Sequence, residues 1–166
     1  ARSQKFLFQE ADGFVDQENF LGEYLIDVYV PYELSIRLAK SSRSKLKKII
    51  NIGSQYGIVA ANPYLYSDNA IGLPIQYSVA KAALHHLTKE LAVRLAPSKI
   101  SVNCVAFGGV SGRVDHEFKE RYAKLCPSGK MLNDDEVSGP IKFLVSNESS
   151  SITGHVLVAD GGWTTW

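Results

Sequence analysis

An α/β fold built on a parallel sheet is what the sequence predicts, and three observations predict it. Short apolar runs of strand length recur along the chain: "IINIGS", "ISVNCVAFGG" and "ITGHVLVADGG". Between them the apolar residues return every three to four positions, the period of an amphipathic helix. No two runs are joined by the tight turn that makes a hairpin, so the strands run the same way and helices cover the sheet.

Each element has its own justification. From Phe20 to Lys40, residues Leu21, Leu25, Val28, Tyr32, Ile36 and Ala39 mark one helical face. Pro31 lies inside that helix and has no N–H for the Asp27 carbonyl, so a bend is expected there. The basic turn "SSRSKLKK" leads into the strand "IINIGS", whose continuous apolar character fits burial on both faces. The twenty residues "QYGIVAANPYLYSDNAIGLP" hold two prolines, two glycines and three tyrosines and read as a surface loop. In "IQYSVAKAALHHLTKELAVRLAPSK", Leu84, Leu87, Leu91 and Leu95 define the clearest helix, which Pro97 stops. "ISVNCVAFGG" follows as a strand and "VDHEFKERYAKLC" as a short amphipathic helix. "DDEVSGPIKFLVS" begins with the acidic residues a helix N-terminus favours, and "ITGHVLVADGG" closes the chain as a third strand.

Composition narrows the function. At 166 residues, 45% apolar and 21% charged, the chain suits one globular domain with a core. Eighteen basic residues against seventeen acidic ones provide no field to gather nucleic acid or an anionic membrane, so neither is an expected partner. No run is long enough to span a bilayer and no signal-peptide pattern opens the chain. Cys104 and Cys126 have no metal-site or disulfide spacing, so no metal is expected and the setting is read as cytoplasmic.

The chemistry gathers around "QYSVAK". Tyr77 and Lys81 stand four apart on a helix, with Ser78, Val79 and Ala80 offering little obstruction, so the two can share one pocket. A phenol titrates near 10, and use at neutral pH requires a shift of ~3 units, about 4 kcal/mol; a neighbouring ammonium works in that direction. An ordinary exposed helical pair is the competing reading. Context bears on the choice. Ser54 ends a strand at the edge of a parallel sheet where ligands bind, placing a hydroxyl that could donate to a carbonyl oxygen. "AFGGVSG" puts two glycines directly after another strand, where bare backbone admits close approach.

Together "NIGS", "YSVAK", "VNCVAFGG" and "SSITGHVLVADGGW" stand in the order and approximate spacing of the short-chain dehydrogenase/reductase family, which the chain resembles from about residue 20 onward. The resemblance implies a Rossmann-type parallel sheet with flanking helices and a cofactor that is NAD or NADP. It implies Tyr77 as the group that donates or accepts the proton. Lys81 would hold the nicotinamide ribose and lower the tyrosine pKa, and Ser54 would polarise the carbonyl or alcohol of a small-molecule substrate. Phe107, Gly108, Val110 and Ser111 would lie along the cofactor, with Tyr77 and Lys81 on its other side. A homodimer or homotetramer is implied, with contacts through helices 20–40 and 77–96 and with Trp163 and Trp166 closing against a neighbouring subunit.

Three departures accompany it. Asp27 stands where the family has an asparagine whose backbone carbonyl binds a water leading to the lysine; Pro31 would leave that carbonyl free, so the relay can survive. Phe107-Gly108 replaces the usual Pro-Gly. The first βαβ unit, with its glycine-rich turn for the pyrophosphate, has no counterpart here, so 1–166 is expected to be the C-terminal portion of one such domain and inactive alone. A non-catalytic protein or fragment that keeps the fold for assembly is the alternative, and the intact Ser54, Tyr77 and Lys81 argue against it.

Ser54 and Tyr77 lie 23 residues apart because "NPYLYSDNAIGLP" intervenes. Tyr64, Tyr66 and Asp68 there either supply stacking faces and an acceptor for a sugar-like ring or pack over the site. A similar elongated segment occurs in family members linked to surface-polysaccharide and nonulosonic-acid pathways. His85 and His86 are adjacent and point apart, so packing is expected of them and not chelation. Asp115, Glu117 and Glu120 read as a solvated face.

Overall fold

The computed structural model describes residues 5–66 and 73–166; Asp68 lies outside them. Helix α1, Gln17–Tyr24, starts at Asp16, whose carboxylate accepts the Asn19 amide at 2.8 Å, and these bonds hold its pKa below the usual carboxylate value. The helix expected over residues 20–40, with a bend at Pro31, is present as one unbroken helical run from Gln17 to Lys40. A π-helical turn, Leu25–Tyr29, joins α1 to α2, Val30–Lys40, and the Val30 amide donates to the Leu25 carbonyl five residues back. Pro31 supplies the reason: it cannot donate to Asp27, and a widened turn relieves the clash an α-turn would impose.

Among the described residues, three parallel strands form the sheet in the order β1-β2-β3. Strand β1, Lys48–Ser54, pairs with β2, Ser101–Phe107, from Lys48↔Ser101 to Ser54↔Phe107. Strand β3, Val156–Ala159, pairs with the far side of β2 from Cys104↔Val156 to Phe107↔Ala159. Central β2 is buried from Val102 to Phe107, which is why its sequence is apolar on consecutive positions. Its buried polar member, Asn103, is satisfied by donating to the Ile152 carbonyl and accepting the His155 amide, tying in the approach to β3.

Strand alternation divides the core between two faces. On one face Ile49 and Val102 meet Leu91, Ala92 and Leu95 of α3, Ile75–Leu95. On the other, Ile50, Val105 and Phe107 meet Val137, Ile141 and Leu144 of α5, Asp134–Val145. Helix α4, His116–Leu125, carries Tyr122 into a separate cluster with Leu65, Cys126, Met131 and Trp163. Trp163 was expected against a neighbouring subunit; it is buried within its own chain, its ring stacked on Tyr122 at 4.3 Å, while Trp166 is exposed. Asp160 shapes that segment, accepting from the amides of Gly162 and Thr164.

Both ends of α5 are closed. Asn133 and Glu136 form a capping box at its start. At its end the Lys48 ammonium of β1 donates to the carbonyls of Leu144 and Ser146 and to Ser149 Oγ. These bonds satisfy terminal carbonyls that have no partner inside the helix. Lys48→Met is therefore expected to lower stability by about 1–3 kcal/mol in urea unfolding; a change within error would mean that water replaces the ammonium without loss.

Candidate active site

Strands β1 and β2 end together, Ser54 beside Phe107, and the chain leaves their C-terminal ends in two tight segments. One is the short helical turn Gln55–Gly57; the other is Gly108-Gly109. Helix α3 returns beneath them and presents Tyr77 in its first turn. A cleft of about 600 Å³ lies between, lined by Ser54, Gln55, Tyr56, Tyr77, Phe107, Gly108, Gly109 and Val110, with Tyr66, Phe118, Tyr122 and Met131 farther out.

Ser54 is buried and doubly held. Its Oγ accepts the Tyr56 amide at 3.2 Å, and its own amide donates to His85 Nε2 at 3.4 Å. The His85 imidazole sits against Gly53 and Gly57: a Cβ on the first would lie 2.3 Å from Nε2, and on the second 2.5 Å from Cε1. Burial lowers the His85 pKa, favouring the neutral ring that can accept a hydrogen bond. Packing was expected of this histidine; the bond to Ser54 was not. His86, its neighbour, is exposed, as two residues pointing apart must be.

Lys81 is 3% exposed, and its Nζ lies 3.0 Å from Asp27 Oδ2 and 3.1 Å from the Ile52 carbonyl, to which it donates. The Asp27 contact is an ion pair by distance, with that oxygen receiving no aligned hydrogen bond. Besides the role expected of its backbone carbonyl, the aspartate reaches Lys81 directly through its carboxylate. The π-turn that Pro31 imposes carries Asp27. The Lys81 ammonium also lies 5.5 Å from the centre of the Tyr77 ring. Tyr77 and Lys81 were expected to share a pocket; the two are in contact, but they line different clefts. With Asp27, Lys81 lines an adjoining cleft of about 640 Å³ between α2 and β1, and Ile52 borders both clefts.

The glycine segment is fixed from three directions. Gly108 N–H donates to the Ala159 carbonyl, Gly109 N–H to the Tyr122 hydroxyl at 3.0 Å, and the Gly109 carbonyl accepts the Leu132 amide. A side chain at either position would collide, at 2.8 Å with Asp160 Cα from Gly108 and at 2.8 Å with Met131 Cε from Gly109. Val110 follows on the cleft wall. Ser111 does not line the cleft; its amide is turned to the Leu132 carbonyl.

Aromatic rings make the outer wall. Tyr66 meets Phe118 edge-on at 5.9 Å, and burial, then nearby Tyr66, pushes the Tyr56 phenol pKa upward. Tyr64, a candidate stacking face from sequence, is 81% exposed and stands off this wall. Sequence reasoning also missed Gln55 and Tyr122, which meet across 67 positions. Among the described residues no cluster of His, Cys, Asp or Glu could hold a metal, and no helix is long and apolar enough to cross a membrane.

Comparison with known proteins bears on this geometry. A family profile described as enoyl-(acyl carrier protein) reductase matches residues 16–164. The chain is 38% identical over 115 residues to post-translational flagellin modification protein A of Campylobacter coli, covering 69% of this chain and 45% of that one. It is 31% identical over 124 residues to the L-tagatose-forming galactitol 2-dehydrogenase of Cereibacter sphaeroides, covering 71% and 46%. In three dimensions it is similar to a short-chain dehydrogenase from Leptospira borgpetersenii crystallised with NAD+, with a TM-score of 0.81, 30% identity, and coverage of 95% of this chain and 60% of that one. The chain thus spans about half the length of the curated relatives it matches.

Proposed function

Because this chain belongs to the short-chain dehydrogenase/reductase family, we propose that the protein containing it interconverts a carbonyl and a secondary alcohol with NAD or NADP. One observation carries the reading: Ser54 and Tyr77 line a single cleft at the C-terminal ends of parallel strands, with the Lys81 ammonium 5.5 Å from the centre of the tyrosine ring.

A nicotinamide ring and its ribose suit the residues present. Gly108 and Gly109 offer bare backbone on one wall, where their packing already excludes side chains, and hydroxyls stand on the other. Gly108, Val110 and Phe107 would flank the ring, and Lys81 would hold the ribose. When bound, the cofactor supplies or accepts the hydride.

The chain's own groups manage the proton. Tyr77 donates it to the substrate oxygen in reduction and removes it in oxidation. Ser54 Oγ, already an acceptor for the Tyr56 amide, keeps its hydroxyl proton for the same substrate oxygen. Lys81 donates one N–H to the Ile52 carbonyl and is ion-paired with Asp27, and it would turn a further N–H to the ribose. Asp27 thereby positions the ammonium.

We read the substrate as sugar-related. Tyr56, Tyr66 and Phe118 give the cleft an aromatic wall of the kind on which a polyhydroxylated ring or chain lies, and one relative is named for oxidising a sugar alcohol. A homodimer or homotetramer is supported by apolar side chains exposed on α1 and α2, among them Leu21, Leu34 and Leu38. The test is to purify the full-length protein, measure binding of NAD(H) and NADP(H), and follow nicotinamide absorbance with a panel of sugar alcohols and keto sugars. We expect binding of at least one nucleotide and turnover of at least one polyol or keto sugar. Failure to bind either nucleotide would favour a non-catalytic protein using the fold for assembly.

A further inference from the structure

Tyr122 is buried on α4, away from the residues to which the reaction is assigned, yet its hydroxyl joins the two segments that shape the cleft floor. It accepts the Gly109 amide at 3.0 Å and donates to Gln55 Oε1 at 2.9 Å. Gln55 directly follows Ser54 and is itself 1% exposed. The Gln55 bond is therefore shielded from water, with no solvent to replace what Tyr122 supplies, while the Gly109 bond lies part-buried at the cleft wall. The ring is immobilised by stacking on Trp163, whose segment is folded back by Asp160. Burial pushes the Tyr122 phenol up to about 12, so it keeps the proton it donates.

Without this link the two segments belong to different strands and different loops. Gly109 follows β2 and Gln55 follows β1; their strands pair, but the ladder ends at Ser54↔Phe107. The Tyr122 hydroxyl extends the connection one step beyond the sheet, from outside it. We infer that Tyr122 is a positioning residue that makes the glycine segment and the Ser54 turn move as one unit, setting the serine hydroxyl relative to whatever lies on Gly108-Gly109.

The kinetic part of this inference rests on the oxidoreductase reading; the mechanical part does not. The experiment therefore has two arms. In the first, hydrogen–deuterium exchange of the unliganded full-length protein is compared for wild type, Tyr122→Phe, Gln55→Leu and the double variant. Phenylalanine keeps the stack on Trp163 and removes only the hydroxyl. We expect Tyr122→Phe to speed exchange in both the 107–110 and the 54–57 segments, by roughly 5- to 10-fold for the loss of one buried hydrogen bond. Gln55→Leu should loosen both segments too, and the double variant should add little to either single change.

Faster exchange at 107–110 alone, or additive effects of the two substitutions, would overturn the coupling. Should Gln55→Leu fold poorly, Gln55→Met, of similar length and without the amide acceptor, takes its place and must likewise speed exchange in both segments. In the second arm, Tyr122→Phe is expected to raise KM for the nicotinamide nucleotide and lower kcat together, each about 5-fold or more. Unchanged KM and kcat would overturn the positioning role. If the wild type binds no nucleotide, the oxidoreductase reading fails while the exchange arm still decides whether Tyr122 links the two segments.

Discussion

Replacing Tyr77 by phenylalanine in the full-length protein is expected to lower turnover by roughly 10²- to 10⁴-fold, the range that a positioned general acid or base contributes. The substitution deletes one oxygen and leaves the ring, so the contact with the Lys81 ammonium, 5.5 Å from the ring centre, persists. Helix α3 should also persist, because Leu91, Ala92 and Leu95, which pack it on the sheet, lie about four to five turns from the substitution. Nucleotide binding should change little, since the glycine backbone and Lys81 are untouched. The loss should therefore fall on kcat with unchanged nucleotide affinity, as it does when a group acts mainly in the transition state. Turnover within a few-fold of wild type would end the proton-transfer role assigned to Tyr77. Lost nucleotide affinity with unfolding of α3 would make the tyrosine a packing residue.

The largest stability effect is expected at Lys81. Its ammonium and the Asp27 carboxylate lie 3.0 Å apart in a setting where both side chains are nearly closed to water. Removing one member of such a pair strands the other charge and typically costs about 3–5 kcal/mol, whereas replacing both with apolar groups of similar volume can be neutral. Lys81→Met should thus destabilise by that amount in urea unfolding, and also remove the donor to the Ile52 carbonyl. Lys81→Met combined with Asp27→Leu should recover most of the stability and none of the activity. If the single substitution costs under about 1 kcal/mol, or the pair of substitutions gives no recovery, water is compensating the carboxylate and the ion pair is not what holds α3 to the π-turn.

What could be read from sequence follows the reach of each physical rule. Strands and helices were legible because burial forces a period: β2 is apolar on consecutive positions since both of its faces are covered, and α3 shows leucines at helical spacing since one face meets the sheet. Ser54, Tyr77, Phe107, Gly108 and Val110 were expected at one site and line one cleft, because strand ends and a helix start are local features that topology gathers. What was missed is non-local. Tyr122 looks like any apolar position of an amphipathic helix until Gln55 and Gly109 arrive from elsewhere in the chain to meet its oxygen. His85 carried a packing assignment because nothing in "KAALHHLTK" says that the Ser54 amide lies above it. The ion pair between the Asp27 carboxylate and Lys81 was not foreseen, since the side-chain direction depends on a turn wider than an α-helix.

That widened turn has a further implication. An α-helix advances about 100° per residue, so the segment Leu25–Tyr29, closed by a bond spanning five residues, acts as a one-residue insertion in the angular bookkeeping of the polypeptide. Deleting any one of its residues would force Pro31 into a regular turn, where its ring meets the carbonyl four residues back and its missing N–H leaves that carbonyl open. Selection on this region should consequently tolerate changes of identity at its exposed positions far better than changes of length.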